Sequence, residues 1–131
     1  MGYNSLNTTT IIDYVKECSS LKTLFSSDAK LTAKEVGDGN LNLVFIIENK
    51  NDLKQAVIVK QALPYLRVAG ESWPLTRERV KYETEALLIY NKLIPERVPK
   101  VYEYDDEMSL VIMEYLRDYE VMRKPMVARK Q

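Results

Sequence analysis

Apolar side chains recur every three to four positions near the amino terminus of the chain. Ile11, Val15, Cys18 and Leu21 follow this spacing, which predicts an amphipathic helix over residues 10–25. The run of three threonines at its start can cap the first turn, because a hydroxyl oxygen accepts a hydrogen bond from an unpaired backbone N–H group. Cys18 is interpreted as a small apolar residue of this helix rather than as a reactive thiol.

After this helix the pattern changes to short apolar strands separated by polar turns. The predicted elements that follow are strands over 31–36, 41–48 and 56–60, an irregular stretch over 61–75, a helix over 76–93, and strands over 101–104 and 109–115. Short turns can join antiparallel strands but not parallel ones, so this order favours an antiparallel sheet with a helix packed on one face. We therefore expect an α+β fold, with a five-stranded antiparallel sheet, one packed helix and the amino-terminal helix.

Composition narrows the classes of function. The 131 residues are 46% hydrophobic, which is enough for one domain with its own core. Because 19 basic and 19 acidic side chains balance, no charge excess favours nucleic acid or an anionic membrane as a partner. The chain has no histidine and one cysteine, which excludes a histidine base, a histidine metal ligand and an intramolecular disulfide. With no membrane-length apolar run and no secretory signal, we expect a cytoplasmic protein.

A glycine-rich turn lies between the first two predicted strands. It consists of Gly37, Asp38, Gly39 and Asn40. Its glycines and asparagine tolerate positive φ angles, so successive backbone N–H groups can point the same way and attract phosphate oxygens. The turn lacks a full G-x-G-x-x-G or Walker sequence, and by itself it fits a plain hairpin as well as a nucleotide site.

A lysine at the end of the third predicted strand is the second candidate site residue. The sequence Val57-Ile58-Val59-Lys60 is similar to the V-A-I-K strand of protein kinases, whose lysine reaches the nucleotide phosphates. Strand alternation puts Ile58 and Lys60 on one face, where the amine must reach either water or an anion. A solvated lysine at the end of a strand would leave the same pattern.

Glu83 is the third candidate, on the helix predicted to begin at Thr76. It lies in the same stripe as Val80 and Leu87, and a carboxylate within an apolar stripe is costly unless a cation pairs with it. Lys60 is the expected partner. A carboxylate that reaches water at the edge of the stripe remains the alternative.

These three features occur in the order of the amino-terminal lobe of protein kinases: a phosphate-binding turn, a strand lysine and a helix glutamate. The apolar run over 109–116 follows at the place of the last strand and the hinge, whose backbone contacts adenine in kinase-like folds. The hinge prediction therefore falls on Glu114 to Leu116. A simple buried strand explains the run equally well.

Three longer stretches resemble the methylthioribose kinase family. They are 35–45, which contains the Gly-Asp-Gly-Asn turn, 59–65, which contains the strand lysine, and 70–76, a tryptophan-containing loop. The family uses such a turn in place of the usual glycine-rich loop. The resemblance covers roughly residues 10 to 125, in order and without large gaps.

The resemblance implies an ATP site. Lys60 would contact the nucleotide phosphates and Glu83 would orient it, while Gly39, Asn40 and Leu41 would lie over the phosphates. The full set of implied cofactor-binding residues is Gly37, Asp38, Gly39, Asn40, Leu41, Lys60, Glu83, Glu114 and Leu116, with Glu114 and Leu116 flanking adenine. Members of the family are homodimers that use ATP and Mg²⁺ to phosphorylate the 1-hydroxyl of methylthioribose in methionine salvage.

The chain departs from the family after the hinge. Phosphoryl transfer needs a catalytic aspartate and metal ligands, which kinase-like proteins supply from a second lobe. After Leu116 the sole aspartate is Asp118, and no asparagine or histidine follows. We therefore expect a chain truncated before its catalytic lobe, with no catalytic or metal-binding residues and no activity of its own. Its expected parts are a helical extension (1–30), the nucleotide-binding lobe (31–116) and a hinge with a basic linker (117–131).

Two other functions remain open at this point. An isolated lobe could be a non-catalytic interaction module that associates with itself or with a partner through its apolar cleft face. The chain could also be a lobe of another small-molecule kinase, of the choline or aminoglycoside type. The loop over 70–76 argues against this last alternative.

Overall fold

A computed structural model describes residues 2–37, 41–119 and 126–128. The helices are α1 (Thr10–Glu17) and α2 (Arg79–Leu93), with short 3-10 turns at Ser19–Leu21 and Pro95–Arg97. The strands are β1 (Leu31–Glu35), β2 (Asn42–Asn49), β3 (Asp52–Ala62), β4 (Tyr65–Leu66), β5 (Gly70–Pro74), β6 (Val101–Asp105) and β7 (Leu110–Glu114). The predicted α+β class with a five-stranded antiparallel sheet is confirmed. Within the described ranges, no helix is long and apolar enough to cross a membrane.

Five strands form one antiparallel sheet in the order β1-β2-β3-β7-β6. β3 lies at the centre, where Lys60 pairs with Val44 of β2 on one side and with Val111 of β7 on the other. β4 and β5 form a separate two-stranded hairpin. This hairpin and α2 come between β3 and β6 in the chain. β7 then pairs with the edge of β3 that does not pair with β2, and β6 pairs with β7.

α1 covers one face of the sheet. Ile11 and Val15 lie one helical turn apart and are 0% and 2% exposed. They pack in the same cluster as alternate residues of the central strands, such as Phe45 and Val59. The division at residue 30 into an extension and a lobe stays a prediction, although α1 and the sheet share this core.

α1 is shorter than the helix predicted over 10–25. It ends at Glu17 because Cys18 adopts an extended conformation (φ −69°, ψ 113°), and a 3-10 turn follows. This bend turns Leu21 into the core, where it is 1% exposed. The predicted threonine cap is wrong too, because Asn7 Oδ1 accepts the amide hydrogen bonds at the start of α1, each 2.9 Å long.

α2 covers the other face of the sheet. Val80, which is 1% exposed, packs there with Met113 at the end of β7 and with the partly buried Ile58 of β3. Val59 lies in the cluster with α1 instead, so the predicted alternation along β3 is confirmed. The sheet therefore has a helix on each face, whereas the pattern of short turns predicted a helix on one.

Other element boundaries also differ from the predicted ones. β3 is longer than the strand predicted over 56–60, because its pairing with β2 extends from Ala62 back to Asp52. The stretch over 61–75, predicted to be irregular, completes β3 and then forms the β4–β5 hairpin. α2 begins at Arg79 rather than at Thr76, and it ends at Leu93 as predicted.

Candidate functional site

The strand lysine and the helix glutamate meet between β3 and α2. Lys60 Nζ and Glu83 Oε1 are 2.6 Å apart, with 25% and 37% of their side chains exposed. Val80 anchors α2 in the core nearly one turn before Glu83, so the helix presents the carboxylate to the face of β3 that carries Lys60. The predicted pairing is confirmed. Because both groups are partly exposed, the pair adds little to stability, roughly 0–1 kcal/mol, and remains accessible to a ligand.

Leu41, which closes the glycine-rich turn, lies beside the end of β3, because the next residue, Asn42, pairs with Ala62. Gly37 begins the turn with a φ of 99°, a left-handed conformation that glycine adopts readily. The other predicted turn residues, 38–40, lie outside the described residues. On the far side of the turn Leu41 is 44% exposed, and its carbonyl accepts a hydrogen bond from the Leu63 N–H at 3.1 Å. Leu41 is thus attached to the chain just beyond the strand end that carries Lys60.

The residues predicted to form the hinge leave the sheet at the end of β7. The Glu114 backbone N–H donates to the Lys100 carbonyl at 2.8 Å, and the Glu114 carboxylate accepts from the Lys100 N–H at 3.2 Å. Leu116 follows and is 38% exposed. Arg117 then donates to the Leu53 carbonyl at 2.8 Å. These contacts hold the segment after β7 against the sheet.

The register of the sheet sets the distance between the hinge and the lysine. Glu114 pairs with Val57, and Lys60 lies three residues further along β3. At ~3.3 Å per strand residue, this register separates the two positions by roughly 10 Å. That separation is comparable to the span from the purine to the phosphates in an extended nucleoside triphosphate.

Arg79 is a residue of this region that the sequence patterns did not reveal. Its guanidinium donates to the Leu41 carbonyl at 2.7 Å and to the Leu63 carbonyl at 3.2 Å. Burial lowers the pKa of Arg79 from its ordinary value, yet the group stays charged at neutral pH, because the ordinary pKa of a guanidinium lies far above neutrality. One signal could have found it: a cation in the first turn of a helix opposes the helix dipole, which implies compensating contacts elsewhere.

The described residues give less support to metal binding and to thiol chemistry. Among the residues that the structure describes, no three aspartate, glutamate, histidine or cysteine side chains come together as metal ligands would. Burial, followed by the negative charge of Glu103, raises the pKa of the Cys18 thiol to about 11. The thiol therefore stays protonated at neutral pH, whereas a reactive cysteine needs its thiolate.

The fold and these contacts together define a class of protein. A five-stranded antiparallel sheet, a central-strand lysine paired with a helix glutamate, and a glycine-rich turn before the second strand are the parts of a protein-kinase-like amino-terminal lobe. The resemblance seen in the sequence is to one family within this class.

Sequence comparison confirms that resemblance. The chain is 42% identical over 127 residues, 97% of its length, to methylthioribose kinases of Bacillus mycoides (strain KBAB4), Bacillus cereus (strain AH187) and Bacillus anthracis (strain A0248). No protein-family model matches the chain. Over nearly its whole length, the chain is therefore a homologue of the methylthioribose kinases.

The relatives are much longer than this chain. It spans 31% of the length of the Bacillus mycoides kinase and 30% of the other two. These relatives lend no support to the two alternatives, a lobe of a choline or aminoglycoside kinase and a non-catalytic interaction module.

Proposed function

We propose that this chain is the ATP-binding lobe of an S-methyl-5-thioribose kinase, which phosphorylates the 1-hydroxyl of methylthioribose in methionine salvage. The observation that carries the proposal is the 2.6 Å contact between Lys60 Nζ and Glu83 Oε1. In kinase-like lobes a lysine and a glutamate in these positions hold the nucleotide phosphates. The relatives are methylthioribose kinases, which supports the choice of acceptor.

In this proposal Lys60 binds the nucleotide phosphates through its amine. Glu83 holds the amine at the end of β3, because a charge-assisted hydrogen bond is strong enough to restrict a long, flexible side chain. The amine then meets the phosphates without first having to be ordered. The loop over the phosphates would contribute backbone N–H groups from Gly37, Asp38, Gly39, Asn40 and Leu41.

Adenine would contact backbone groups of the hinge at Glu114 and Leu116. The Glu114 N–H already donates to the Lys100 carbonyl. We therefore expect Glu114 to contact adenine through its own carbonyl oxygen. The Leu116 carbonyl accepts from the Tyr119 N–H at 3.2 Å, which leaves the Leu116 N–H as the donor. Because backbone groups make these contacts, the hinge side chains are expected to have little influence on base recognition.

Mg²⁺ neutralises charge on the transferred phosphoryl group in kinases of this class. The described residues provide no cluster of ligands for it. In this proposal the metal ligands, the catalytic base and the groups that bind methylthioribose lie outside these 131 residues. The 131-residue chain would then bind ATP weakly and transfer no phosphoryl group by itself.

Titration of the purified chain with ATP, followed by nuclear magnetic resonance, tests the proposal. Lys60→Met should weaken ATP binding by about tenfold or more, because it removes a charge-assisted contact to phosphate. Glu83→Gln should weaken binding less, by about threefold, because the amine remains but loses its ionised partner. Lys54→Met is the matched control, since Lys54 is an exposed lysine of the same strand.

Two outcomes would contradict the proposal. Equal ATP affinity in the Lys60→Met and Lys54→Met proteins would show that Lys60 does not bind phosphate. Phosphorylation of methylthioribose by the unmodified 131-residue chain would show that the catalytic groups do not lie elsewhere. Thermal unfolding of each variant provides the control that the lobe remains folded.

A further inference from the structure

Arg79, the first residue of α2, contacts the backbone of three separate segments. Its Nη2 donates to the Leu41 carbonyl at 2.7 Å and to the Leu63 carbonyl at 3.2 Å. The same atom lies 3.4 Å from Asn42 Oδ1, and Nη1 donates to the Thr76 carbonyl. A planar guanidinium can serve several acceptors at once, which an ammonium group cannot do with the same geometry.

Two of these segments, and α2 itself, adjoin parts of the proposed nucleotide site. Leu41 follows the glycine-rich turn directly, and Leu63 lies three residues beyond Lys60. Arg79 itself precedes Glu83 by four residues on α2, so the two side chains share one face of the helix. A single side chain therefore connects the start of β2, the residue after β3 and the first turn of α2.

The position of Arg79 is electrostatically unfavourable unless these contacts compensate. A positive charge in the first turn of a helix meets the positive end of the helix dipole, which is unfavourable. The group is also partly withdrawn from water, so its hydrogen bonds to the loop and strand carbonyls must replace hydration. An arginine used only to stabilise α2 would lie in the last turn instead.

We propose that Arg79 is a positioning residue of the nucleotide site, which fixes Leu41 and the start of β2 against the first turn of α2. It acts through the Leu41 carbonyl, at the point where the turn enters β2, and it does not contact the nucleotide. The inference rests on the proposed nucleotide site. It predicts that Arg79 affects phosphate binding and leaves adenine binding unchanged, because the hinge is held by contacts in which Arg79 takes no part.

A comparison of ATP with adenosine tests this inference in the 131-residue chain. Arg79→Met should weaken ATP binding by about tenfold, because Leu41, which is expected to lie over the phosphates, loses its anchor, while adenosine binding stays within about twofold. Arg79→Lys should recover part of the loss, since one ammonium can serve the Leu41 carbonyl alone. Arg77→Met is the matched control: Arg77 stacks 4.3 Å from the Tyr3 ring centroid and donates to the Glu107 carbonyl at 3.2 Å.

Hydrogen exchange adds a readout that needs no ligand. The Leu63 N–H donates to the Leu41 carbonyl, which also accepts from Arg79. Exchange at Leu63 should become faster in Arg79→Met and stay unchanged in Arg77→Met, because only the former frees the start of β2.

The possible results separate the two proposals. ATP binding by the unmodified chain, with no selective loss in Arg79→Met, overturns the positioning role and leaves the nucleotide site standing. Equal losses for ATP and adenosine also overturn it, because they indicate a general structural role. Absence of ATP binding in the unmodified chain overturns the proposed function, and the positioning role fails with it.

Discussion

Gln61 lies next to Lys60 in β3 and connects distant parts of the chain through its side-chain amide. Its Oε1 accepts from the Leu6 N–H at 2.9 Å, and its Nε2 donates to the carbonyls of Asn4 and Met108 at 2.8 and 3.1 Å. Gln61 is 0% exposed, so these bonds replace water for its own side-chain amide. One side chain thus holds the amino-terminal segment and the β6–β7 turn beside the candidate site.

Gln61→Leu should lower the free energy of unfolding by about 2–5 kcal/mol, because each backbone group left without a partner costs roughly 1–3 kcal/mol. Denaturation in guanidinium chloride measures the change. Lys54→Leu, an exposed position of the same strand, should change stability by no more than about 0.5 kcal/mol. A Gln61→Leu protein as stable as the unmodified chain would mean that water replaces all three bonds.

At this scale, the sequence predicts contacts between charged side chains better than contacts with the backbone. A carboxylate in an apolar stripe needs a cation partner, which predicts a partner for Glu83. Strand alternation places Lys60 on one face of β3, and this makes it the expected partner. Arg79 and Gln61 bind backbone atoms 38 and 55 residues away. Every residue carries the same backbone groups, so no sequence pattern marks these partners.

At the scale of elements, α1 stabilises the molecule through one buried stripe. Ile11→Ala should lower the free energy of unfolding by about 2–5 kcal/mol, because it removes buried methyl groups and leaves a cavity against the sheet. Ile89→Ala on α2 is the matched control, since Ile89 is 58% exposed. Chemical denaturation at low protein concentration compares the two. Equal, small losses would mean that α1 is a dispensable extension.

The type of each element follows from local periodicity, but its ends do not. The helix predicted over 10–25 has the right period, but α1 ends at Glu17. It ends there because the Cys18 backbone is extended, which turns Leu21 into the core. The β4–β5 hairpin lies in a stretch whose prolines and glycine suggested only irregular structure. Its pairing, Tyr65 with Pro74, depends on contacts that span a loop rather than on a repeating pattern.

At the scale of the whole molecule, α2 presents an apolar stripe on the face that points away from the sheet. Tyr82, Ile89 and Leu93 are 61%, 58% and 70% exposed, and their spacing puts them on one side of the helix. Exposed apolar surface of this kind favours association. We therefore expect this stripe to make the 131-residue chain associate with itself when it is concentrated.

Sedimentation velocity tests the proposed association. The sedimentation coefficient should rise with protein concentration, and Ile89→Glu should raise the dissociation constant by about tenfold or more, because it buries a charge in the contact. Leu53→Glu is the control, since Leu53 is 56% exposed at the start of β3, away from α2. A chain that stays monomeric at every concentration would contradict this contact.

The sequence by itself determined the class of the fold and the pairing at its centre. Apolar periodicity, polar turns and a carboxylate in an apolar stripe are local properties, so they can be read without knowing which strands are neighbours. Tertiary structure alone decided that helices pack on both faces, that β3 lies at the centre, and that Arg79 reaches the Leu41 carbonyl. These outcomes depend on which backbone atoms meet when the core closes, and that depends on the whole chain at once.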